Sequence, residues 1–198
     1  MSSPKPPQPS LLDPPDEAVI PERGPHAPVP GEQIASHYPE CFGCGDNHPT
    51  GLHMVAIAGE GLNVGAEFEV TEFHQGAPGL AHGGLLACAF DEALGALNWL
   101  IGQPAVTARL ETDFISPVPV GTIVHIDAEV AGVVGRKVYV KAVGRLGDAE
   151  GPEVLRSKGL FIQVGREHFR SHGWSDVVDE VARKREEDQN AMHVEVNP

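Results

Sequence analysis

Nineteen residues near the middle of the chain, Gly83 to Ile101, constrain the fold more than any others. Leu85, Leu86, Ala87, Ala89, Phe90, Ala93, Leu94, Ala96, Leu97, Leu100 and Ile101 are fair to good helix formers and fall on every side of a helical wheel. That pattern predicts a helix buried nearly all round, not a surface helix with one apolar stripe. Gly102-Gln103-Pro104 supplies the stop. Such a helix needs other elements to enclose it.

The flanking sequence offers strands. Leu52–Ile57 and Leu62–Val70 are joined by Ala58-Gly59-Glu60-Gly61, a hairpin signal. After the helix, Val106–Phe114 reads as one strand, closed by Ser116-Pro117. Val124, Ile126, Ala128 and Val130 alternate onto one face of the next. Val138, Val140 and Ala142 mark a third, and Leu155–Val164 a fourth. The predicted class is α+β, an antiparallel sheet wrapped around one central apolar helix. A sheet covers a helix on one side only. The uncovered apolar surface and the free sheet edges favour pairing with a second copy as a dimer or tetramer.

Outside this region the composition changes. Of 18 prolines, 10 fall in the first 30 residues. Residues 1–36 are therefore expected to form a disordered Pro-rich arm, with little to bury and no helical or strand period. The folded domain is expected over 37–172. A charged C-terminal helix or tail follows over 173–198, with Trp174, Val177, Val178 and Val181 on one side.

Composition excludes several functions. A net charge of -14 argues against nucleic-acid partners and anionic membranes. No apolar run is expected to approach the about 18–20 residues of a membrane span, and no secretory signal is seen at the start of the chain. Three cysteines cannot make a disulfide framework and suit a reducing cytoplasm. No Lys or Arg lies between Arg23 and Arg109, so an anionic ligand must be held by the later strands or by backbone amides.

The chemistry is concentrated in the central helix. Between Gln75 and Ala108 the only charged side chains are Asp91 and Glu92. A carboxylate in an apolar helix is costly unless paired or used. Neighbours on a helix point about 100° apart. We expect Glu92 to reach solvent or cap a neighbouring backbone group, and Asp91 to face the interior or a cleft, where burial raises its pKa and makes it a usable base. At the helix start, His82-Gly83-Gly84 lets a ligand approach amides that have no intrahelical partner and sit at the positive end of the helix dipole. Those amides are a natural oxyanion site for a carbonyl going tetrahedral. Gly83 and Asp91 are about 12 Å apart along the axis at 1.5 Å per residue. One chain cannot readily bring both to one carbon, but two copies with antiparallel central helices can.

The His82-Gly83-Gly84 to Asp91 spacing resembles the PaaI-like acyl-CoA thioesterases of the hotdog superfamily. The preceding loop, His74-Gln-Gly-Ala-Pro-Gly-Leu-Ala-His82, is closer to the subgroup that includes the mammalian thioesterase superfamily members. The block Thr107-Ala-Arg-Leu-Glu-Thr-Asp-Phe114 is similar to the family's next strand. The resemblance spans about Cys41 to Val164. It implies a hotdog fold, a homodimer, a place in lipid metabolism, and hydrolysis of acyl-CoA to free acid and CoA. Asp91 would be the general base or nucleophile. Gly83 and Gly84 would polarise the carbonyl, His82 would shape the loop and contact the carbonyl, and Thr107 would position water or substrate. Many relatives carry Asn where this chain has Gly76, so Gln75 or the loop backbone would take over substrate contacts. Arg136, Lys137, Arg156 and Lys158 would meet the CoA phosphates. The acyl chain would run past Phe90, Leu94 or Trp99, residues that also suit plain core packing. No cofactor is implied beyond the CoA carried by the substrate. The competing readings are a hotdog hydratase or dehydratase, which usually wants an Asp-His pair at short spacing, and a non-catalytic acyl-CoA binding module.

Cys41-Phe-Gly-Cys44 with His48 and His53 superficially offers four zinc ligands. No long finger separates the two pairs. The same fragment occurs as a non-metal entry to the fold in hotdog relatives, so no metal is expected. Cys88 reads as core.

Overall fold

The structure is a computed structural model that describes residue 10 and residues 12–194. Its larger unit runs to Gln163 and a second begins at Val164, earlier than the boundary expected at residue 172.

In the larger unit seven strands form one antiparallel sheet in the order β1 (Gln33–Ile34), β2 (Val55–Ala58), β3 (Asn63–Glu69), β7 (Ile123–Val134), β8 (Lys137–Leu146), β9 (Glu153–Gln163), β6 (Ala105–Phe114). The period-two pattern is realised directly: Val64, Ala66 and Phe68 of β3 and Val124, Ile126, Ala128 and Val130 of β7 are buried. A single helix, α1 (Gly83–Ile101), shares their core. Phe90, Leu94, Leu97 and Leu100 have no exposed surface. Each such side chain contributes about 1.5–3 kcal/mol by leaving water. Gly102 closes the helix in the left-handed conformation at φ 77°.

Two expectations about α1 need correction. Burial is one-sided: Gly84, Leu85, Cys88, Asp91, Gly95 and Trp99 along one flank are not buried. The fully buried side chains Phe90, Leu94, Leu97 and Leu100 belong to the rest of the helix surface. By length and mean hydropathy of 1.3, α1 is also long and apolar enough to cross a membrane. Asp91 and Glu92 interrupt the apolar run without lowering its average far enough. In this fold α1 is the core helix.

The Pro-rich arm is not free where it is described. Leu12 is buried, Val19 bridges to Val133, and Arg23 donates to Gly59 O at 2.9 Å. Gly24 N donates to Leu100 O at 2.8 Å, and β1 adds to the sheet edge. A Pro-rich ribbon with no period of its own still docks where strands and helix ends offer unused backbone partners. Residues 1–9 and 11 lie outside the described residues.

Between β3 and α1 the glycine-rich loop folds into a 3-10 turn (Glu72–His74) and a small ribbon, β4 (Gln75–Ala77) with β5 (Leu80–Ala81). The second unit carries α2 (Arg166–His172) and α3 (Ser175–Val194), tied by the Arg170–Asp179 ion pair at 3.2 Å. Within the stretch expected as a charged helix or tail, the described residues form α3, and the short α2 before it was not expected.

Candidate active site

Asp91 lies on the open flank of α1, facing the edge strand β6. Thr107 Oγ1 donates to Asp91 Oδ1 at 2.8 Å. Burial pushes the Asp91 carboxyl above its ordinary range; the Thr107 hydrogen bond opposes this and the nearby Glu92 charge adds to it. A β-bulge at Ala108 interrupts the β6–β9 ladder, because Thr107 pairs with Phe161 while Arg109 pairs with Leu160. Bulges bend a strand and re-aim its side chains, and they are common beside active sites.

The helix start is more occupied than expected. His82 caps α1, with Nδ1 accepting from Gly84 N at 3.0 Å. The Gly84 amide is thereby committed within the chain, which leaves Gly83 as the donor of the pair. An open apolar cavity beside Gly83 is lined by Leu80, Leu86, Phe114, Ile115 and Val118. Phe114 and Ile115 remain 56% and 42% exposed, a large apolar surface for a lone chain.

The loop residues are structural braces here. Gln75 Nε2 donates to Glu72 O at 2.8 Å, and its Oε1 accepts from Gly79 N at 2.7 Å. A Cβ at Gly76 would stand 2.7 Å from the Cα of His82. Glycine at this position therefore lets the capping histidine lie against the ribbon.

Of the residues expected to meet CoA phosphates, Arg156 and Lys158 already pair with Glu153 and Asp13. Arg136 donates to Gln163 O at 3.3 Å, and among the described residues neither it nor Lys137 has a carboxylate partner. Phe90 and Leu94 belong to the closed core, as plain packing requires; Trp99 is half-buried.

Glu92 is only partly exposed and is held by side chains. Its side chain is 20% exposed and sits 3.6 Å from His37 Nδ1, and Cys41 Sγ donates to its Oε2 at 3.5 Å. Hydrogen bonds that the His37 ring donates to Cys41 and then to Glu92 raise its pKa to about 9. The Cys44 contact and the His37 charge hold the Cys41 thiol well below its ordinary range, while Cys44 is pushed up. Sequence reasoning missed His37 and Glu92 as partners of the cysteine pair.

Residues 78–150 match the family described as Thioesterase superfamily, a stretch that holds His82, Gly83, Asp91 and Thr107. A crystal structure of a thioesterase superfamily protein superposes with a TM-score of 0.59 at 26% identity, covering 69% of this chain and 70% of that one. The larger unit has the hotdog fold, and its central stretch resembles the thioesterase superfamily. Escherichia coli PaaI, from the phenylacetic acid degradation operon, shares the hotdog fold with a TM-score of 0.53 at 19% identity, over 58% of this chain and 81% of that one. The acyl-coenzyme A thioesterase THEM5 of Mus musculus is 31% identical over 97 residues, 49% of this chain. The chain spans only 39% of that relative's length. The match ends short of the Cys41–Cys44 turn, which precedes residue 78.

Proposed function

We propose that this chain hydrolyses acyl-CoA thioesters to a free acid and CoA. The observation that carries the reading is the half-buried Asp91 carboxylate, held through Oδ1 by Thr107 and raised in pKa by burial. A carboxylate fixed on one oxygen keeps Oδ2 for a water molecule. It is a stronger base than an exposed Asp. As the base, Oδ2 takes a proton from water while the water oxygen bonds to the thioester carbon; the C–S bond then breaks and the departing CoA thiolate takes up that proton. As a nucleophile, Oδ2 attacks that carbon, the C–S bond breaks to release CoA and leaves an acyl-aspartyl anhydride, and water then cleaves the anhydride to the free acid and restores Asp91.

The developing oxyanion needs a donor that Asp91's own chain does not bring near. The Gly83 amide lies about 12 Å up the helix. We assign the donor to a second copy, so that Gly83 of one protomer and Asp91 of the other share a site. The unburied flank of α1, the long edge strand β6 and the exposed Phe114 and Ile115 support such a seam. Arg136 and Lys137, free of carboxylate partners among the described residues, are the better candidates for the CoA phosphates. The cavity beside Gly83 suits an apolar part of the substrate. A place in lipid metabolism, in a reducing compartment, follows from this reading.

A hydratase is the weaker reading. His82 and Asp91 are separated by more than two helical turns, and the His82 Nδ1 is already bound to Gly84. The deciding experiment is thiol release across a panel of alkyl and aryl acyl-CoAs, wild type beside Asp91→Asn. Release by the wild type and its loss in the variant support hydrolysis. Binding of acyl-CoA without release, unaffected by the substitution, would identify a binding module instead.

A further inference from the structure

A second cluster of reactive side chains lies one residue from Asp91, and the mechanism above does not use it. His37, Cys41, Cys44 and Glu92 each bring one ligand atom to a common point, all within 4.8 Å of one another. Cys44 Sγ is 3.2 Å from His37 Nδ1, His37 Nδ1 is 3.6 Å from Glu92 Oε1, and Cys41 Sγ is 3.5 Å from Glu92 Oε2. A tetrahedron with Zn–S legs of about 2.3 Å and Zn–N or Zn–O legs of about 2.0–2.2 Å has edges of about 3.3–3.8 Å. The three shortest of these contacts, 3.2–3.6 Å, match those edges, and the remaining separations lie within 4.8 Å.

We propose that His37, Cys41, Cys44 and Glu92 bind one zinc ion.

The local backbone is built for such a site. The Cys41-x-x-Cys44 turn is closed by Gly45 N donating to Cys41 O at 2.9 Å. Gly43 N donates to Cys41 Sγ at 3.3 Å, the kind of amide contact that supports a thiolate. A Cβ on Gly43 would fall 2.2 Å from Glu92 Oε2, so glycine is what lets the turn close onto the helix carboxylate. Ser36 Oγ lies 3.4 Å from Cys44 Sγ, an outer partner for a ligating sulfur.

The donor set, two sulfurs, an imidazole and a carboxylate, suits zinc and not the all-oxygen preference of calcium or magnesium. Four protein ligands complete the tetrahedron, so the ion is structural. It staples the turn to the middle of α1 beside the base, and the turn in turn holds the chain into β2 through Leu52 N to Phe42 O at 2.8 Å and Met54 N to Gly43 O at 2.9 Å.

The ligands differ from those the sequence offered. The His48 ring stands edge-on to Phe42 at 5.2 Å, and its Nδ1 accepts from Thr50 N. Neither His48 nor His53 belongs to the cluster.

The test uses the full chain purified under reducing conditions without chelator. Elemental analysis should give about one zinc per chain. Chelator-stripped protein titrated with cobalt(II) should develop thiolate-to-cobalt charge-transfer bands and the intense d–d absorption of a tetrahedral site. Cys44→Ser and Glu92→Gln should weaken cobalt binding by about tenfold or more, while His48→Ala and His53→Ala leave it unchanged. Wild-type protein that contains no zinc and gives no cobalt spectrum overturns the proposal, as does a Cys41–Cys44 disulfide in the reduced preparation. Cobalt binding lost with His48 or His53 but kept without Glu92 overturns the assignment too. The wild-type titration decides even if a variant fails to fold.

Discussion

Thr107 Oγ1 and Asp91 Oδ1 meet at 2.8 Å across the gap between the edge strand and the central helix. This contact fixes the carboxylate's orientation and offsets part of the cost of burying it. Removing it changes both the geometry and the proton affinity of Asp91. Thr107→Ala should therefore lower kcat and move the acid limb of the pH–rate profile to higher pH. The sign follows from the chemistry: the hydroxyl donates to the charged form, so its loss favours protonation. Thr107→Ser should restore most of both properties. An acid limb that stays in place in Thr107→Ala would show that Asp91 does not set it.

Replacing Asp91 itself separates activity from stability. Asp91→Asn should lower kcat by at least about 10²-fold, the usual scale for a lost general base. The folded protein should become no less stable at neutral pH, and by the linkage argument more so. Burial raises the folded pKa above the unfolded value, so the group's stabilising contribution is complete below the unfolded pKa and is lost as pH rises through the folded one. At pH 7 the ionised form is a net cost that Asn removes. Melting curves at pH 7 and pH 4 check this: the gain should be present at pH 7 and shrink at pH 4. A variant much less stable at pH 7 would mean that the carboxylate is paired with a group that the structure does not place beside it.

Glu92 carries the opposite expectation. Its side chain is held by His37 and Cys41 and not by the reaction centre. Glu92→Gln should lower the melting temperature and cost kcat far less than Asp91→Asn. A reversed ranking of kcat would move the base by one residue.

The contrast between these neighbours shows what the sequence could reveal. The helix from Gly83 to Ile101 was legible because glycine marks both ends and apolar residues fill it. The strands of β7, β8 and β9 were legible because alternation is a local property. Asp91 and Thr107 could be proposed together through the resemblance of their spacing to a family. The fate of Glu92 was not legible, because its partners lie 51 and more residues away on a loop with no period. Nor could the local pattern show that His82 would take up the Gly84 amide, since that depends on a side-chain rotamer. The bulge at Ala108 and the docking of the arm depend likewise on backbone partners that only the folded sheet supplies.

The shared site can be tested by mixing subunits. Gly83 is the first residue of α1, where proline is tolerated, and His82 before it is extended at φ -73° and ψ 129°, as a residue before proline requires. A Cβ at Gly83 meets only Phe114, at 3.4 Å, an ordinary contact. Gly83→Pro should therefore fold while removing the one amide hydrogen assigned to the oxyanion. Alone, Gly83→Pro and Asp91→Asn should each be nearly inactive. In a heterodimer of the two, one site joins the intact Gly83 of one chain to the intact Asp91 of the other, and the second site carries both lesions. Random reassortment of equal amounts makes half of all dimers mixed, so activity should return to about a quarter of wild type. The mixture should be assayed after dissociation and reassociation, with sedimentation confirming dimers. If Gly83 and Asp91 act within one chain, every subunit carries a lesion in its own site. Mixing then restores nothing, and the site would have to be rebuilt inside a single protomer.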